Sequence, residues 1–398
     1  MRKRIPAFAI LMICLSFWTT PAFALKDDAA VLEELKTDSK AVFLYDIDHE
    51  RIILQKNATQ KYPVASLTKI MTALVTLEKR QLDEKVTITH EMVSNLGDYV
   101  SIGLQPGQRV TVEDLLYATL LPSAGDAAQA LAISTGGSLE GFAKMMSQKA
   151  AELKLNNTHF SNPVGMNENN YSTAKDMSVV LREALKNETF TKIFQTYEHH
   201  LKSANLAAIK TFKKRAAFLG GKTGYTELAG RCLASNANIN GVNYAMITLG
   251  ANPNSNNHLK DADKIYGYVS ENYIKHDILK VGDTIATLAV TDSDQKTLDL
   301  KADQSATAIL HKDITREQLE YRYEGIDTIT PEIELGSELG TLSIYYGKEK
   351  LYETKVYLRD AIEFYDYPLI IASFIAGGIF IAGLVLAVIL FVYSRIKS

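Results

Sequence analysis

Cysteine is almost missing from this sequence: 398 residues carry two, Cys14 and Cys232. Cys14 lies in a short apolar run, Ile5 to Trp18, behind the basic Met1-Arg2-Lys3-Arg4, and Ala22-Phe23-Ala24 supplies a small-x-small cleavage pattern. The run is short for a spanning helix, so a signal peptide over 1–24 and a mature start at Leu25 are expected. Ile13 stands where a lipoprotein signal would carry a small residue. Cleavage leaves Cys232 as the only thiol, which excludes an intramolecular disulfide. An exported chain of this kind must be held by its hydrophobic core, and this one is long enough to bury one. Charge of one sign is also lacking. The net charge is −3 with acidic and basic residues interspersed, so a nucleic-acid partner is not expected. Lys213-Lys214-Arg215 reads as a solvated loop. Metal-ligand spacing is absent: His90-Glu91 meets Ser94 where a second histidine would stand, and His199-His200 are adjacent. No metal or cofactor is expected.

Long hydrophobic runs are scarce, and the one that exists is decisive. Pro368 to Tyr393 is uncharged and long enough to cross a bilayer with some tilt, which predicts a transmembrane helix over 367–393. Asp360, Glu363 and Asp366 precede it, and Arg395 and Lys397 follow it. The positive-inside rule then places the C-terminus in the cytoplasm and the bulk of the chain outside the cell membrane.

Between the ends, 41–46 and 51–55 flank the polar Asp48-His49-Glu50 and read as a hairpin. Residues 67–77 put Ile70, Leu74 and Leu77 on one helical face. The stretch 111–133 is helical but interrupted at Pro122-Ser123-Ala124-Gly125, and 142–153 and 174–185 are also helical. Strand patterns return at 233–237 and 243–249. This order predicts an α+β domain over 25–275, a mixed sheet covered by helices. Beyond about Asp277 the runs become short, alternating and bounded by Gly, Asp or Lys, as expected of a small all-β domain over 276–362.

Ser66-Leu67-Thr68-Lys69 stands at the start of the helix over 67–77. Residues at i and i+3 share a helical face, so the Lys69 amine can reach the Ser66 hydroxyl. A serine is a poor nucleophile until a base takes its proton, and a lysine can serve when its pKa is depressed. Alone this spacing is weak, because roughly one or two such pairs arise here by chance. By itself the pair also fits a helix cap and a surface charge. Lys222-Thr223-Gly224, behind Gly220-Gly221 and ahead of a strand-like run, reverses that balance. Gly224 leaves room for a substrate backbone to approach. A phosphate loop is excluded, because it needs glycine where Ala216 stands.

Together, Ser66-Leu67-Thr68-Lys69, Ser123 and Lys222-Thr223-Gly224 resemble the three motifs of penicillin-binding serine enzymes. The flanks, Tyr62 to Thr72 and Tyr225-Thr226 leading into Ala229-Gly230-Arg231-Cys232-Leu233, resemble the low-molecular-mass D-alanyl-D-alanine carboxypeptidases of the penicillin-binding protein 5 type. So do 160–166 and 171–177. The resemblance implies a penicillin-binding, β-lactamase-like transpeptidase fold with a helical subdomain, followed by the family's second, β-rich domain. It implies that Ser66 attacks the penultimate D-alanine carbonyl of a peptidoglycan stem peptide, with Lys69 as base and water resolving the acyl-enzyme. Ser123 would relay protons, and Lys222 would hold Ser123 and depress the Lys69 pKa. Thr223 would bind the substrate carboxylate, and the N–H groups of Ser66 and Tyr225 would form the oxyanion hole. β-Lactams would acylate Ser66 as substrate mimics. An endopeptidase would use the same residues, and a weakly active peptidoglycan-binding scaffold is the alternative from another class.

Two positions depart from that pattern. The second motif is usually Ser-x-Asn, and here it is Ser123-Ala124-Gly125, which removes a side chain that normally contacts the substrate amide. His258 aligns where the family carries an arginine for the terminal carboxylate. A histidine would serve there only when protonated, which predicts acid-favoured activity; the other reading makes His258 an exposed loop residue.

Overall fold

A computed structural model describes residues 28–396, apart from 96, 98, 167–168, 203–208 and 212–213. The expected signal peptide, with Cys14, lies outside the described residues. The chain divides into two units, one ending at Asn272 and the other beginning at Tyr273.

In the first unit, β1 (Ala41–Asp46) and β2 (Arg51–Lys56) form the expected hairpin. Far along the chain, β3 (Gly220–Thr226), β4 (Gly230–Ile239) and β5 (Val242–Ala251) follow one another as hairpins. They join the first pair in one five-stranded sheet of order β2-β1-β5-β4-β3. The seam is β1 on β5, with Phe43 opposite Ile247. Every pairing is antiparallel, so the sheet is not the mixed one expected. Successive hairpins need only tight turns, whereas parallel neighbours would require crossovers between them.

Helices lie on both faces. They are α1 (Asp28–Glu34), α2 (Thr68–Lys79), α3 (Val112–Leu120), α4 (Gly125–Gly136), α5 (Leu139–Glu152), α6 (Ala174–Leu185), α7 (Glu188–Phe194) and α8 (Asn257–Asn272). Thr111, Ser138, Thr173 and Asn187 cap α3, α5, α6 and α7, each side chain accepting an otherwise unsatisfied backbone N–H. Ala41, Phe43, Ala234 and Ile247 join Ile70, Met71, Leu74 and Leu131 in one core between the sheet and the helical layer around α2. On the opposite face, the Tyr266 hydroxyl of α8 lies 3.0 Å from Ser235 Oγ. Asp261 of α8 accepts from the backbone N–H and the hydroxyl of Ser39. Coverage on both sides explains why β5 reads as a continuous apolar run: nine of its ten residues are buried.

The alternation of β3 decides which groups meet. Lys222 and Gly224 lie opposite Ala234 and Cys232, on the face of the helical core. Thr223 and Tyr225 lie opposite Leu233 and Arg231, on the face α8 covers. Cys232, the only cysteine among the described residues, is fully buried beside Gly224 with its Sγ 3.8 Å from the Ala229 carbonyl.

The second unit is all-β up to its last helix. Tyr273–Leu279 pairs with Ala306–His311, and Thr284–Val290 pairs with Thr297–Lys301. A three-stranded sheet is formed by Glu320–Gly325, Glu338–Tyr346 and Glu349–Tyr357. Thr297–Lys301 alternates exposed and buried residues along its length, the signature that made these strands legible. The second unit closes with α9 (Tyr367–Ile396), in which Ala372–Ile389 is apolar enough to cross a membrane and contains no buried residue.

Candidate active site

The chain enters α2 through a 3-10 turn, Ala65–Leu67, so Ser66 sits at the junction of turn and helix. Neither element is capped by a side chain, which leaves the Ser66 hydroxyl unspent and rules out the capping role. Ala65, just before it, holds a left-handed φ of 46°. Such a conformation in a residue with a Cβ costs on the order of 1–3 kcal/mol and persists only where the surroundings impose it. Ser66 is half-buried and within reach of a ligand.

Lys69 is 1 % exposed, so it is no surface charge. Its Nζ lies 3.1 Å from Ser66 Oγ and donates to the Val164 carbonyl at 3.0 Å. Burial pulls the Lys69 amine down to about 7. Lys222 is equally buried, and burial together with the nearby Lys69 charge drives its amine well below the ordinary lysine range. Two ammonium groups cannot both stay charged in such a setting, so at least one amine of the pair is neutral. Lys222 donates to the Thr223 carbonyl at 2.8 Å. The expected hydrogen bond from Lys222 to Ser123 is not formed. Gly224 lies against the nucleophile turn: a Cβ there would come 3.1 Å from Ser66 N.

Ser123 has a left-handed φ of 68°, and its buried hydroxyl has no hydrogen-bond partner among the described residues. Tyr225 is 44 % exposed, and the Arg231 guanidinium lies over its ring at 4.9 Å. His258 differs from both expectations. It is 2 % exposed, in the first turn of α8, so it is not an exposed loop residue. Burial, with the Arg231 and Arg215 charges beside it, holds its imidazole down at about 4. A neutral His258 is not the cation that the alignment suggested.

Sequence reasoning missed the group that orients Lys69. Asn162 Oδ1 accepts from the N–H groups of Val164 and Gly165, and Asn170 Oδ1 accepts from the N–H and hydroxyl of Ser161. Thr72 donates to the Pro163 carbonyl at 2.7 Å. These bonds fold 161–165 into a turn that presents the Val164 carbonyl to the lysine. The only signal was the resemblance of 160–166 to a family segment, which assigned no role.

The first unit matches the family model described as D-alanyl-D-alanine carboxypeptidase over residues 28–253. Residues 273–363 match the model of the penicillin-binding protein 5 C-terminal domain. The D-alanyl-D-alanine carboxypeptidase DacF of Bacillus subtilis (strain 168) is 31% identical over 371 residues, covering 90% of this chain and 94% of that protein. A D-alanyl-D-alanine endopeptidase of Escherichia coli (strain K12) is 27% identical over 268 residues, covering 62% of this chain and 83% of its own length. The crystal structure of the carboxypeptidase DacD from Francisella tularensis shares the fold, with a TM-score of 0.63 at 22% identity over 82% of this chain and 94% of that one.

Proposed function

This chain belongs to the D-alanyl-D-alanine carboxypeptidase family, and we propose that Ser66 is its nucleophile, activated by Lys69. The chain is a serine-type hydrolase that removes the terminal D-alanine from peptidoglycan stem peptides. The observation that carries the residue assignment is the buried Lys69 amine, held near neutrality 3.1 Å from an uncapped, reachable Ser66 hydroxyl. In its neutral form Lys69 keeps one N–H on the Val164 carbonyl and turns its lone pair to the Ser66 proton. Ser66 Oγ then bonds to the penultimate D-alanine carbonyl carbon, and the developing oxyanion is met by the N–H groups of Ser66 and Tyr225. Ser123 passes the proton to the leaving D-alanine amine. Burial lowers the Lys69 pKa, and Thr223 and Gly224 receive the substrate's C-terminal end. Water breaks the acyl ester in the second half of the cycle. β-Lactams acylate the same Ser66.

The test is labelling of the intact protein with a fluorescent penicillin, read by mass on the peptide containing Ser66. A stoichiometric adduct lost in Ser66→Ala is expected; no adduct on the wild-type protein would sink the assignment. The likeness to an endopeptidase gives a second reading, cleavage of cross-linked stems by the same residues. Products from defined monomeric and cross-linked muropeptides separate the two.

The apolar α9 anchors the chain. In this reading it spans the membrane once, with Arg395 and Lys397 on the cytoplasmic side and both folded units outside. A chain ending at 366 is expected in the soluble fraction after lysis; its retention in washed membranes would contradict the anchor.

A further inference from the structure

The space beyond Gly125 is already filled. A Cβ at this position would lie 2.7 Å from Tyr99 Cβ, 2.9 Å from its Cγ and 3.0 Å from its Cδ2. The base of the Tyr99 ring thus stands where the first atoms of a side chain at 125 would go. Its position is fixed from two directions. The Gly125 N–H donates to the Val100 carbonyl at 2.7 Å. Asp126, fully buried, accepts from the Ser101 hydroxyl at 2.6 Å and from the N–H groups of Ile102, Gly103 and Leu104 at 3.1 Å each. The loop 99–104 is therefore stapled to the first turn of α4, two residues beyond Ser123. Tyr99 is half-buried, and burial raises its phenol pKa, so it remains a donor at neutral pH. Its hydroxyl has no hydrogen-bond partner among the described residues.

We propose that Tyr99 supplies the substrate contact of the second motif, its hydroxyl donating to a backbone carbonyl of the stem peptide bound beside Ser123. Position 125 is glycine because the Tyr99 ring occupies the place of a side chain there. Tyr99 is thereby a specificity-determining residue delivered from outside the motif, and the inference rests on the reading of Ser66 as nucleophile.

Four full-length proteins test it: wild type, Tyr99→Phe, Gly125→Asn, and Tyr99→Gly with Gly125→Asn. Each is measured for KM and kcat on a peptide ending in D-Ala-D-Ala, for the penicillin adduct on Ser66, and for Tm. Tyr99→Phe keeps the ring against Gly125, and it should raise KM about tenfold while leaving the adduct and Tm in place. Gly125→Asn alone should lose most of its turnover, and removing the Tyr99 ring should restore it by about tenfold or more. Wild-type KM in Tyr99→Phe, or a double variant no better than Gly125→Asn, would overturn the proposal. Absence of an adduct in the wild type would instead bring down the Ser66 assignment, and this inference with it.

Discussion

The segments around Ser66 and Ser123 solve the placement of a hydroxyl in opposite ways. At Ser66 the partner is local: one helical turn brings Lys69 to 3.1 Å, and burial of α2 does the rest. At Ser123 nothing local suffices. A left-handed backbone, a capless α4 and a loop about twenty residues upstream, held by Asp126, together build that side. A reactive pair can thus be written in four consecutive residues, whereas the wall facing it depends on long-range hydrogen bonds.

That contrast breaks most sharply if the lysine is removed. Lys69→Ala should slow penicillin acylation by about 10³-fold, the usual contribution of a positioned general base. A loss smaller than about tenfold, measured by single-turnover labelling, would mean that the base comes from elsewhere and that the first motif is no more local than the second. Next in size is Asp126→Ala, which strands the Ser101 hydroxyl and three N–H groups. Urea unfolding should show a loss of about 2–4 kcal/mol. Ser66→Ala should stay within about 0.5 kcal/mol of the wild type, because its hydroxyl serves no cap. Equal stabilities for the two variants would erase the distinction between a chemical motif and a structural one.

Acidity gives a subtler test. Acylation needs the neutral Lys69 amine, so its rate should fall about tenfold per pH unit below about 7 and level off above it. The sign for stability is fixed by the same depression. The folded value of about 7 lies below the ordinary lysine value of 10.5, so Lys69 opposes folding most at and below neutrality. That penalty is relieved as the pH rises toward the unfolded value. A rate that stays flat down to about pH 5 would remove Lys69 as the titrating base. The smallest effect belongs to His258. Held at about 4, it does not change charge between about pH 5.5 and 8, so His258→Gln should leave the shape of the pH–rate profile in that window unchanged. A profile that loses an acid limb in this variant would return His258 to the carboxylate site.

Much of the architecture was legible because it follows short-range patterns. The break at Pro122 to Gly125 separates α3 from α4 as expected, and the alternating strands beyond about Asp277 announced a β-rich unit. The all-antiparallel pairing was harder to read, because β5 is covered on both faces and loses the alternation that marks a half-exposed strand. His258 was misplaced for a related reason. An exposed loop and a buried first turn of α8 look alike in Asn254-Ser255-Asn256-Asn257, and only packing against the sheet separates them. The contact of Tyr99 with Gly125 joins residues with no shared periodicity, so the sequence could register a missing side chain but not what had replaced it.

Cys232 gives this chain a built-in timer. Burial beside Gly224 pushes its thiol up to about 12 and hides it from solvent, so an alkylating reagent must wait for β3 and β4 to part. The rate of modification should therefore follow how often the strand carrying Lys222 and Thr223 opens, with no engineered label. An acyl group seated on Ser66 and resting along that strand should lengthen the interval between openings, so thiol trapping would report occupancy of the site through the mechanics of its wall.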